Sequence, residues 1–226
     1  MTLLGIETSG KTASVTLYED GLFLGQHSVY TSRTHSQVIL PMVKNLLAEC
    51  DREISDLDAI AVSDGPGSYT GIRIGIAAVK AMTFALDIPC YGISSLEGMA
   101  YNLGCEGYIC PVMKARKDLV YTALFRTIGG KTERIRSDEI ISVSELDSLL
   151  SALNENVIVT GDAAEDFTNE HSNERYSLSP AHLRFQNANG ICLAALDHES
   201  QSPEEIQASY LQLVKAEKDL IKSERS

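Results

Sequence analysis

The order in which strands and helices follow one another between residues 3 and 104 constrains the fold more than any other feature of this sequence. Three apolar or alternating stretches come first and predict strands over 3–9, 12–20 and 21–30. The turns between them are short, so these strands should be antiparallel neighbours. Helix and strand patterns then alternate as far as Gly104. This β-β-β-α-β-α-β-α order predicts an α/β fold with a mixed sheet.

The same order is that of the ribonuclease-H-like (actin-like, ASKHA) core shared by actin, sugar kinases and Hsp70, and it differs from the βαβ start of a Rossmann unit. A second run of strand and helix patterns begins near Gly107. We therefore predict two such lobes with mixed sheets, the first over 1–104 and a reduced second lobe over 105–200. Residues 201–226 are expected to form a C-terminal helix that packs back on the first lobe, followed by a frayed tail.

Composition narrows the possible classes of function. The formal net charge of −12 argues against a chain that grips nucleic acid by itself, because phosphate binding depends on Lys and Arg. The five cysteines include no C-x-x-C pair, which favours reduced thiols over a zinc or redox motif. The N-terminus lacks the basic region of a signal peptide, and the longest apolar run is too short to span a bilayer. We expect a cytoplasmic protein.

The segment "SDGPGSYTG" is a glycine-rich loop that precedes a helix. Backbone N–H groups in such a loop favour an anion, and Gly65, Gly67 and Ser68 are the candidates for that role. The sequence lacks the lysine and the spacing of a P-loop. A tight turn, in which glycine supplies a positive φ, is the alternative interpretation.

An actin-like nucleotide site also needs an acidic residue in the first hairpin and another in the hairpin of the second lobe. "GIETSGKT" offers Glu7, with Thr8 and Ser9 beside it. The second hairpin, "VMKARKDLVY", has Lys114 where an acid is expected. We therefore interpret these segments as degenerate phosphate loops and predict that this chain has no cofactor of its own.

The two helices on either side of the strand at 57–65 carry more apolar surface than one sheet needs. From Ile74 to Leu86 only Lys80 is charged, and the apolar positions of the preceding helix sweep roughly 200°, against the roughly 100° of a surface helix. Small residues recur along the second helix, which favours close approach of a partner's helix. The alternative is that the second lobe covers both helices. The predicted partner interface comprises His35, Ile39, Leu40, Val43, Leu47, Gly71, Ile72, Gly75, Ala78, Val79 and Met82.

The histidines of the sequence do not form a metal-binding pattern. No two of them are spaced three or four residues apart, as a helical metal site requires. The sequence has no G-x-S-x-G motif, and no Ser/His/Asp set can be assembled from it. We predict no catalytic residue and no metal ligand, and we interpret His35 as a capping or contact residue.

Four stretches of the chain resemble the TsaB (YeaZ) family of bacterial proteins, which is related to TsaD. They are "LLGIETSGKTASVTL", "HSQVILPMV", "AIAVSDGPGSYTGIRIGIAAVKAM" and "ASYLQLVKAE". The likeness is strong over 1–104, weaker through the second lobe, and returns near 210–217. The third stretch is specific to this family and its TsaD relatives.

The resemblance implies a function for the chain. Proteins of the TsaB family pair with the catalytic subunit TsaD and with the ATPase TsaE, and the assembly transfers a threonylcarbamoyl group to the adenosine 3′ of the tRNA anticodon. The resemblance implies a heterodimer with TsaD through the first two helices of each partner. It places ATP and metal on the partner subunits, contact with tRNA only through the complex, and neither chemistry nor a membrane on this chain. A homodimer in the absence of TsaD stays open.

Two other functions stay open beside the resemblance. Glu7 and the glycine-rich loop suggest an actin-like ATP-dependent phosphotransferase, although Lys114 replaces the acid that many relatives carry in a D-A-R motif. That replacement argues against a nucleotide role for the second hairpin and leaves the interface prediction unchanged. A metallopeptidase is less favoured, because the histidine spacing argues against it.

Overall fold

The structure, a computed structural model, describes residues 1–31 and 33–211. Its first sheet is built from the strands that the N-terminal pattern predicts. These are β1 (Thr2–Glu7), β2 (Thr12–Glu19), β3 (Leu22–Tyr30), β4 (Ala59–Gly65) and β5 (Cys90–Ser94). They lie in the order β3-β2-β1-β4-β5, with β2 antiparallel to β1 and β3, and β4 parallel to β1 and β5. The predicted mixed sheet is confirmed.

The second sheet repeats the topology of the first. Its strands are β6 (Gly107–Lys114), β7 (Leu119–Ile128), β8 (Lys131–Ser142), β9 (Val157–Thr160) and β10 (Tyr176–Leu178). They lie in the order β8-β7-β6-β9-β10, which is the order of the first sheet with each strand replaced by its counterpart. The antiparallel and parallel pairings correspond as well. The chain therefore contains two copies of one β-β-β-α-β-α-β-α unit.

Helices occupy equivalent positions in the two repeats. They are α1 (His35–Glu49), α2 (Tyr69–Leu86) and α3 (Ser95–Leu103), followed by α4 (Val143–Leu153), α5 (Ala164–Glu170) and α6 (Ala188–Ala195). The second repeat is smaller, because α5 has 7 residues where α2 has 18. The α/β prediction of two lobes, the second reduced, is confirmed. In the described part of the chain, no helix is both long and apolar enough to cross a membrane.

The third helix of each repeat packs between the two sheets. Helices α1 and α2 cover the outer face of the first sheet, and α4 and α5 cover the outer face of the second. Helix α3 lies against β6 and β7, whereas α6 lies against β1 and β2. The two helices cross so closely that a Cβ on Gly190 would overlap the Gly98 carbonyl oxygen. Residues 188–195, which the sequence assigns to the second lobe, thus bury their apolar side against the first sheet.

Serine caps set the starts of three helices. Ser68, Ser94 and Ser142 each accept a hydrogen bond from the backbone N–H three residues later, which satisfies a donor that the first turn leaves free. Gly104 ends α3 in the left-handed conformation, which glycine adopts without strain. Thr34 is the N-cap of α1, but its side chain makes no capping hydrogen bond.

The C-terminal helix predicted over 201–226 is not formed in the part of this range that the structure describes. Gln201 instead exchanges two backbone hydrogen bonds with the edge strand β5. Further on, the Ser209 N–H donates to the Asp64 carbonyl oxygen at 2.7 Å. Backbone groups bonded to the sheet cannot also form helical hydrogen bonds, so this stretch follows the surface of the first lobe. The remainder of the prediction, 212–226, lies outside the described residues.

Candidate functional site

Most of the residues predicted to form the partner interface lie inside the first lobe. They pack against the outer face of the first sheet, together with the apolar residues of β1, β2 and β4. The prediction is wrong for these residues, because a wide apolar arc does not reveal which positions the chain's own sheet covers. The buried members are His35, Ile39, Val43, Leu47, Gly71, Ile72, Gly75, Val79 and Met82.

The glycines of α2 accommodate the end of β1 and not a second helix. A Cβ on Gly71 would overlap the Thr8 carbonyl oxygen, and a Cβ on Gly75 would overlap the Thr8 side chain. The Thr8 hydroxyl also donates to the Gly71 carbonyl oxygen at 2.8 Å. The row of small residues therefore fixes α2 against the first sheet, and the groove predicted for a partner's helix is occupied within the lobe itself.

The side of α2 that points away from the sheet is apolar and accessible. Phe84 is 76% exposed there, with exposed alanines on one side and with Asp87 and the 200–204 segment near its other side. On the neighbouring helix α1, Leu40 is 52% exposed. Exposed apolar side chains on neighbouring helices are typical of a protein interaction site. We define the α2 outer face as Ala77, Ala78, Ala81, Phe84 and Ala85.

The two cations of α2 turn toward the C-terminal segment. The Arg73 Nε donates to the Tyr210 hydroxyl at 2.7 Å, and its guanidinium carbon lies 4.1 Å from the centroid of the Tyr69 ring. The Lys80 Nζ donates to the Glu204 carbonyl oxygen at 3.4 Å. Lys80 lies one turn before Phe84, and Arg73 one turn before Ala77, so both cations flank the alanines and Phe84 of the α2 outer face.

A cavity of about 430 Å³ lies between the lobes. The β1–β2 turn lines one wall and the β6–β7 turn lines another, so the two hairpins compared in the sequence do meet at one place. Lys11, Lys114 and Arg116 are the cations of this cavity. Lys114 pairs with Asp166 at 2.7 Å, and its backbone N–H donates to Asp162 at the same distance. The cavity walls therefore carry more positive than negative side chains in a chain that is acidic as a whole.

The residues predicted to form phosphate loops do not all line the same cavity. Ser9, Gly67 and Ser68 line the cavity between the lobes. Gly65 lies instead beneath the C-terminal segment, where a Cβ would overlap the Ser209 carbonyl oxygen. Both glycines have positive φ, which favours the tight-turn interpretation of this loop.

Glu7 is buried and does not line the cavity. Its carboxylate accepts hydrogen bonds from the Ser9 backbone N–H at 2.5 Å and from the Ser63 hydroxyl at 2.9 Å. Burial raises the pKa of the Glu7 carboxyl, and these hydrogen bonds oppose that rise. Glu7 thus joins the ends of β1 and β4, and it is not positioned as the acid of a nucleotide site.

An ionic cluster where the lobes meet was not predicted from the sequence. Arg134 of β8 donates to Glu97 of α3 at 2.8 Å and also pairs with Asp138, while His198 Nε2 lies 3.1 Å from the second oxygen of Glu97. The hydrogen bond to Glu97 raises the pKa of His198. Burial, and then the charge of Asp138, raise the pKa of the nearby Asp64 to about 7. No local motif could have found this cluster, because its residues come from separate segments of the chain.

Among residues 1–31 and 33–211, no set of three or more His, Cys, Asp or Glu side chains is arranged to hold a metal ion. Arg134, Glu97, Asp138 and His198 of the ionic cluster are paired with one another. The features that face solvent are therefore the α2 outer face and the cavities.

Comparison with known proteins identifies the family. A family model described as "TsaD: tRNA N6-adenosine threonylcarbamoyltransferase" matches residues 25–222. The chain is 35% identical over 162 residues to the tRNA threonylcarbamoyladenosine biosynthesis protein TsaB of Bacillus subtilis, and the match covers 71% of each chain. The chain belongs to the TsaB family. Membership in the TsaB family confirms the resemblance carried by the four sequence stretches.

The fold of this chain is also similar to that of solved structures. A Pseudomonas aeruginosa protein described as uncharacterized, with similarity to peptidase YEAZ, has a TM-score of 0.78 and 27% identity, over 93% of this chain and 99% of that one. The ethanolamine utilization protein EutJ of Carboxydothermus hydrogenoformans has a TM-score of 0.52 at 11% identity, over 85% of this chain and 89% of that one. The second likeness is one of fold alone.

Proposed function

We propose that this chain is a non-catalytic subunit of the cytoplasmic machinery that forms threonylcarbamoyladenosine in tRNA, and that it binds a TsaD subunit through the α2 outer face. Its role in this biosynthesis is supported by the TsaB relative from Bacillus subtilis and by the match to the TsaD family model. The assignment of the partner surface rests on one observation. That observation is the exposed aromatic ring of Phe84, which lies beside the exposed Ala77, Ala81 and Ala85 on the side of α2 away from the sheet.

An apolar helix face is costly to leave in water and favourable to bury against another helix. Transfer of apolar surface contributes about 25 cal/mol per Å², and an aromatic side chain at the centre of an interface commonly contributes most of the affinity. Alanines on both sides of Phe84 leave room for a partner's helix to approach. Leu40 of α1 extends the same kind of surface. These residues replace the buried positions of α1 and α2 as the proposed contact.

The proposal assigns the chemistry to the partners. TsaD is the subunit expected to hold metal, through an H-x-x-x-H pair, and no two histidines of this chain are four residues apart. ATP turnover belongs to TsaE in this scheme. The net charge of −12 opposes independent binding of tRNA, so tRNA is engaged through the assembled complex.

Binding to a TsaD protein from the same genome tests the surface directly. We expect Phe84→Glu to weaken binding by more than about tenfold, because it places a charge in the centre of the contact. Ile135→Glu is the matched control, since Ile135 is also exposed and apolar but lies on β8 of the second lobe. Affinity would be measured by calorimetry with both purified proteins, after circular dichroism has shown that each variant is folded.

If Phe84→Glu and Ile135→Glu bound TsaD with equal affinity, the proposed surface would be contradicted. Size-exclusion chromatography with light scattering of the chain alone would show whether a homodimer uses the same face, since Phe84→Glu should then dissociate it. The non-catalytic assignment has its own test, the formation of threonylcarbamoyladenosine in tRNA from a supplied threonylcarbamoyl-adenylate. Product formed by this chain in the absence of TsaD would overturn it.

A further inference from the structure

A second cavity, of about 260 Å³, lies where the N-terminal ends of α1 and α2 come together. Thr34 and His35 line it from the start of α1, and Ser68 and Thr70 line it from the start of α2. It lies beyond the α2 outer face, at the opposite end of α2 from Phe84. The function proposed above makes no use of it.

Two helix dipoles direct their positive ends at this cavity. The backbone N–H groups of His35, Ser36, Tyr69 and Thr70 have no hydrogen-bond acceptor within the described residues. Neither helix carries an acidic residue in its first turn, whereas α3, α4 and α5 all do. Free N–H donors and an uncompensated dipole favour an anion at such a site.

Two cationic side chains complete the positive wall. Lys11 enters from the β1–β2 turn, and Arg33 enters from the segment that precedes α1. No ion pair is formed by either of them with any residue that the structure describes. None of the described residues that line the cavity is acidic. This is a local concentration of positive charge on a chain with a net charge of −12.

His35 supplies an independent observation that points to a ligand. It is only 9% exposed, it lines the cavity, and neither of its ring nitrogens has a hydrogen-bond partner in the described part of the chain. The ring nitrogens are not among the fully buried polar atoms that lack a partner in the described residues, so they are open to a ligand in the cavity. An acceptor in the cavity would satisfy one of them, because even a neutral imidazole donates one N–H.

We propose that this cavity binds a phosphoryl group, held by Lys11, Arg33, His35 and the first-turn N–H groups of α1 and α2. A phosphoryl group offers several acceptor oxygens to donors that converge from different directions, which is the arrangement found here. The cavity shares Lys11 and Ser68 with the larger cavity between the lobes. A ligand with a second phosphate can therefore continue toward Arg116. The phosphoryl group belongs either to a small phosphorylated molecule or to the backbone of an RNA.

Pyrophosphate, ADP and tRNA are the probes that separate these sources. Each would be titrated by calorimetry into the full-length chain at low ionic strength, without partner subunits. We expect the double variant Lys11→Ser/Arg33→Ser to bind the probe at least about tenfold more weakly, because it removes two charge-assisted contacts. His35→Gln, which retains an N–H donor, should weaken binding less than His35→Phe. Lys44→Ser is the matched control, since it removes a positive charge from the exposed side of α1 away from the cavity.

Each outcome bears on the proposal. Binding of pyrophosphate or ADP that the double variant loses and Lys44→Ser keeps supports a small phosphorylated ligand. If only tRNA binds, and the double variant loses this binding while Lys44→Ser keeps it, the ligand is a phosphate of an RNA backbone. Absence of binding by all three probes at millimolar concentration overturns the proposal, and so does binding that the double variant leaves unchanged. None of these results depends on TsaD, so they are separate from the test of the α2 outer face.

Discussion

Helices α2 and α5 occupy the same position in the two repeats, between the fourth and fifth strands of a sheet, yet their outer surfaces are opposite in character. The outer side of α2 presents alanines and the exposed Phe84. The outer side of α5 presents the exposed acidic residues Glu165, Asp166 and Glu170. Two of these acids pair with cations, Lys114 and Arg184, from neighbouring segments.

The topology constrains the inner side of α2 and α5 but not their outer side. The inner side of each helix must cover a sheet, so Val79 of α2 and Phe167 of α5 are both buried. The outer side of each helix does not have to pack against a sheet. In α5 the outer side carries charged side chains, whereas in α2 it is apolar over 77–85 apart from Lys80. The surplus that the sequence reveals in α2 is therefore real, but it lies on the side opposite to the glycines.

The largest expected effect concerns the inner side of α2. Gly71→Ala should destabilise the protein by about 3 kcal/mol, because the added methyl group would overlap the Thr8 carbonyl oxygen. Ala81→Ser, on the α2 outer face, should change stability by less than about 0.5 kcal/mol. Urea unfolding followed by circular dichroism measures both. If Gly71→Ala were as stable as Ala81→Ser, α2 would not be fixed against β1 as described.

The next effect concerns the strand end that leads into α2. The pKa of Asp64 is raised from 3.8 to about 7 by burial and by Asp138, whereas the unfolded chain keeps the ordinary value. As the pH rises from about 4 to about 7, the unfolded state loses this proton and the folded state keeps it, so folding stability falls through that window. Asp64→Asn does not titrate. Its stability relative to the parent should rise across the window by on the order of 2 kcal/mol, after allowance for residual hydration of the carboxyl.

Urea unfolding of the parent and of Asp64→Asn at pH 5 and pH 8 measures this difference. A constant gap between the two proteins at both pH values would show that the carboxyl of Asp64 is ionised in the folded state.

A smaller effect is expected from the hydrogen bond between β1 and α2. Thr8→Val keeps the shape of the side chain but removes its donor to the Gly71 carbonyl oxygen. The cost should be about 1 kcal/mol, since that oxygen can still accept a hydrogen bond within the helix. Thermal or urea unfolding would detect it. No loss at all would mean that close packing, and not the hydroxyl, joins the two elements.

The smallest effect is expected on the outer side of α5. Asp166→Asn removes the ion pair with Lys114, in which both side chains are largely exposed. Exposed pairs contribute little, so the loss should be less than about 0.5 kcal/mol. A loss above about 1 kcal/mol in the same unfolding assay would show that the charges of α5 hold the helix in place, and the contrast with α2 would weaken.

The sequence predicts the fold well because its signals are local. Alternation and short turns identify β1, β2 and β3, and serine caps mark the starts of α3 and α4. What it does not reveal is which distant element covers each face. The position of α6 on the first sheet depends on a crossing at Gly98 and Gly190, which are far apart in the sequence. The stretch after Gln201 reads as helical but pairs with the edge of β5 instead.

The sequence points to helix α2 as the interaction element, but it does not identify which residues of α2 are exposed. Apolar periodicity correctly points to surplus surface on α2, yet it cannot distinguish Val79, covered by the sheet, from Phe84, covered by nothing in the described chain. The interpretation of His35 as a capping or contact residue also needed the structure. Only the fold shows that the starts of α1 and α2 converge at this imidazole, which has no hydrogen-bond partner among the described residues.

The placement of α3 and α6 between the sheets determines how this chain could be divided. A break between Leu103 and Gly107 would give one fragment whose sheet lacks α6 and another whose sheet lacks α3. Each fragment would expose an apolar face that only the other can cover. The two pieces are thus complementary halves of a split protein and not autonomous folding units. When they associate, both sheets would be covered again and the whole structure would be recovered.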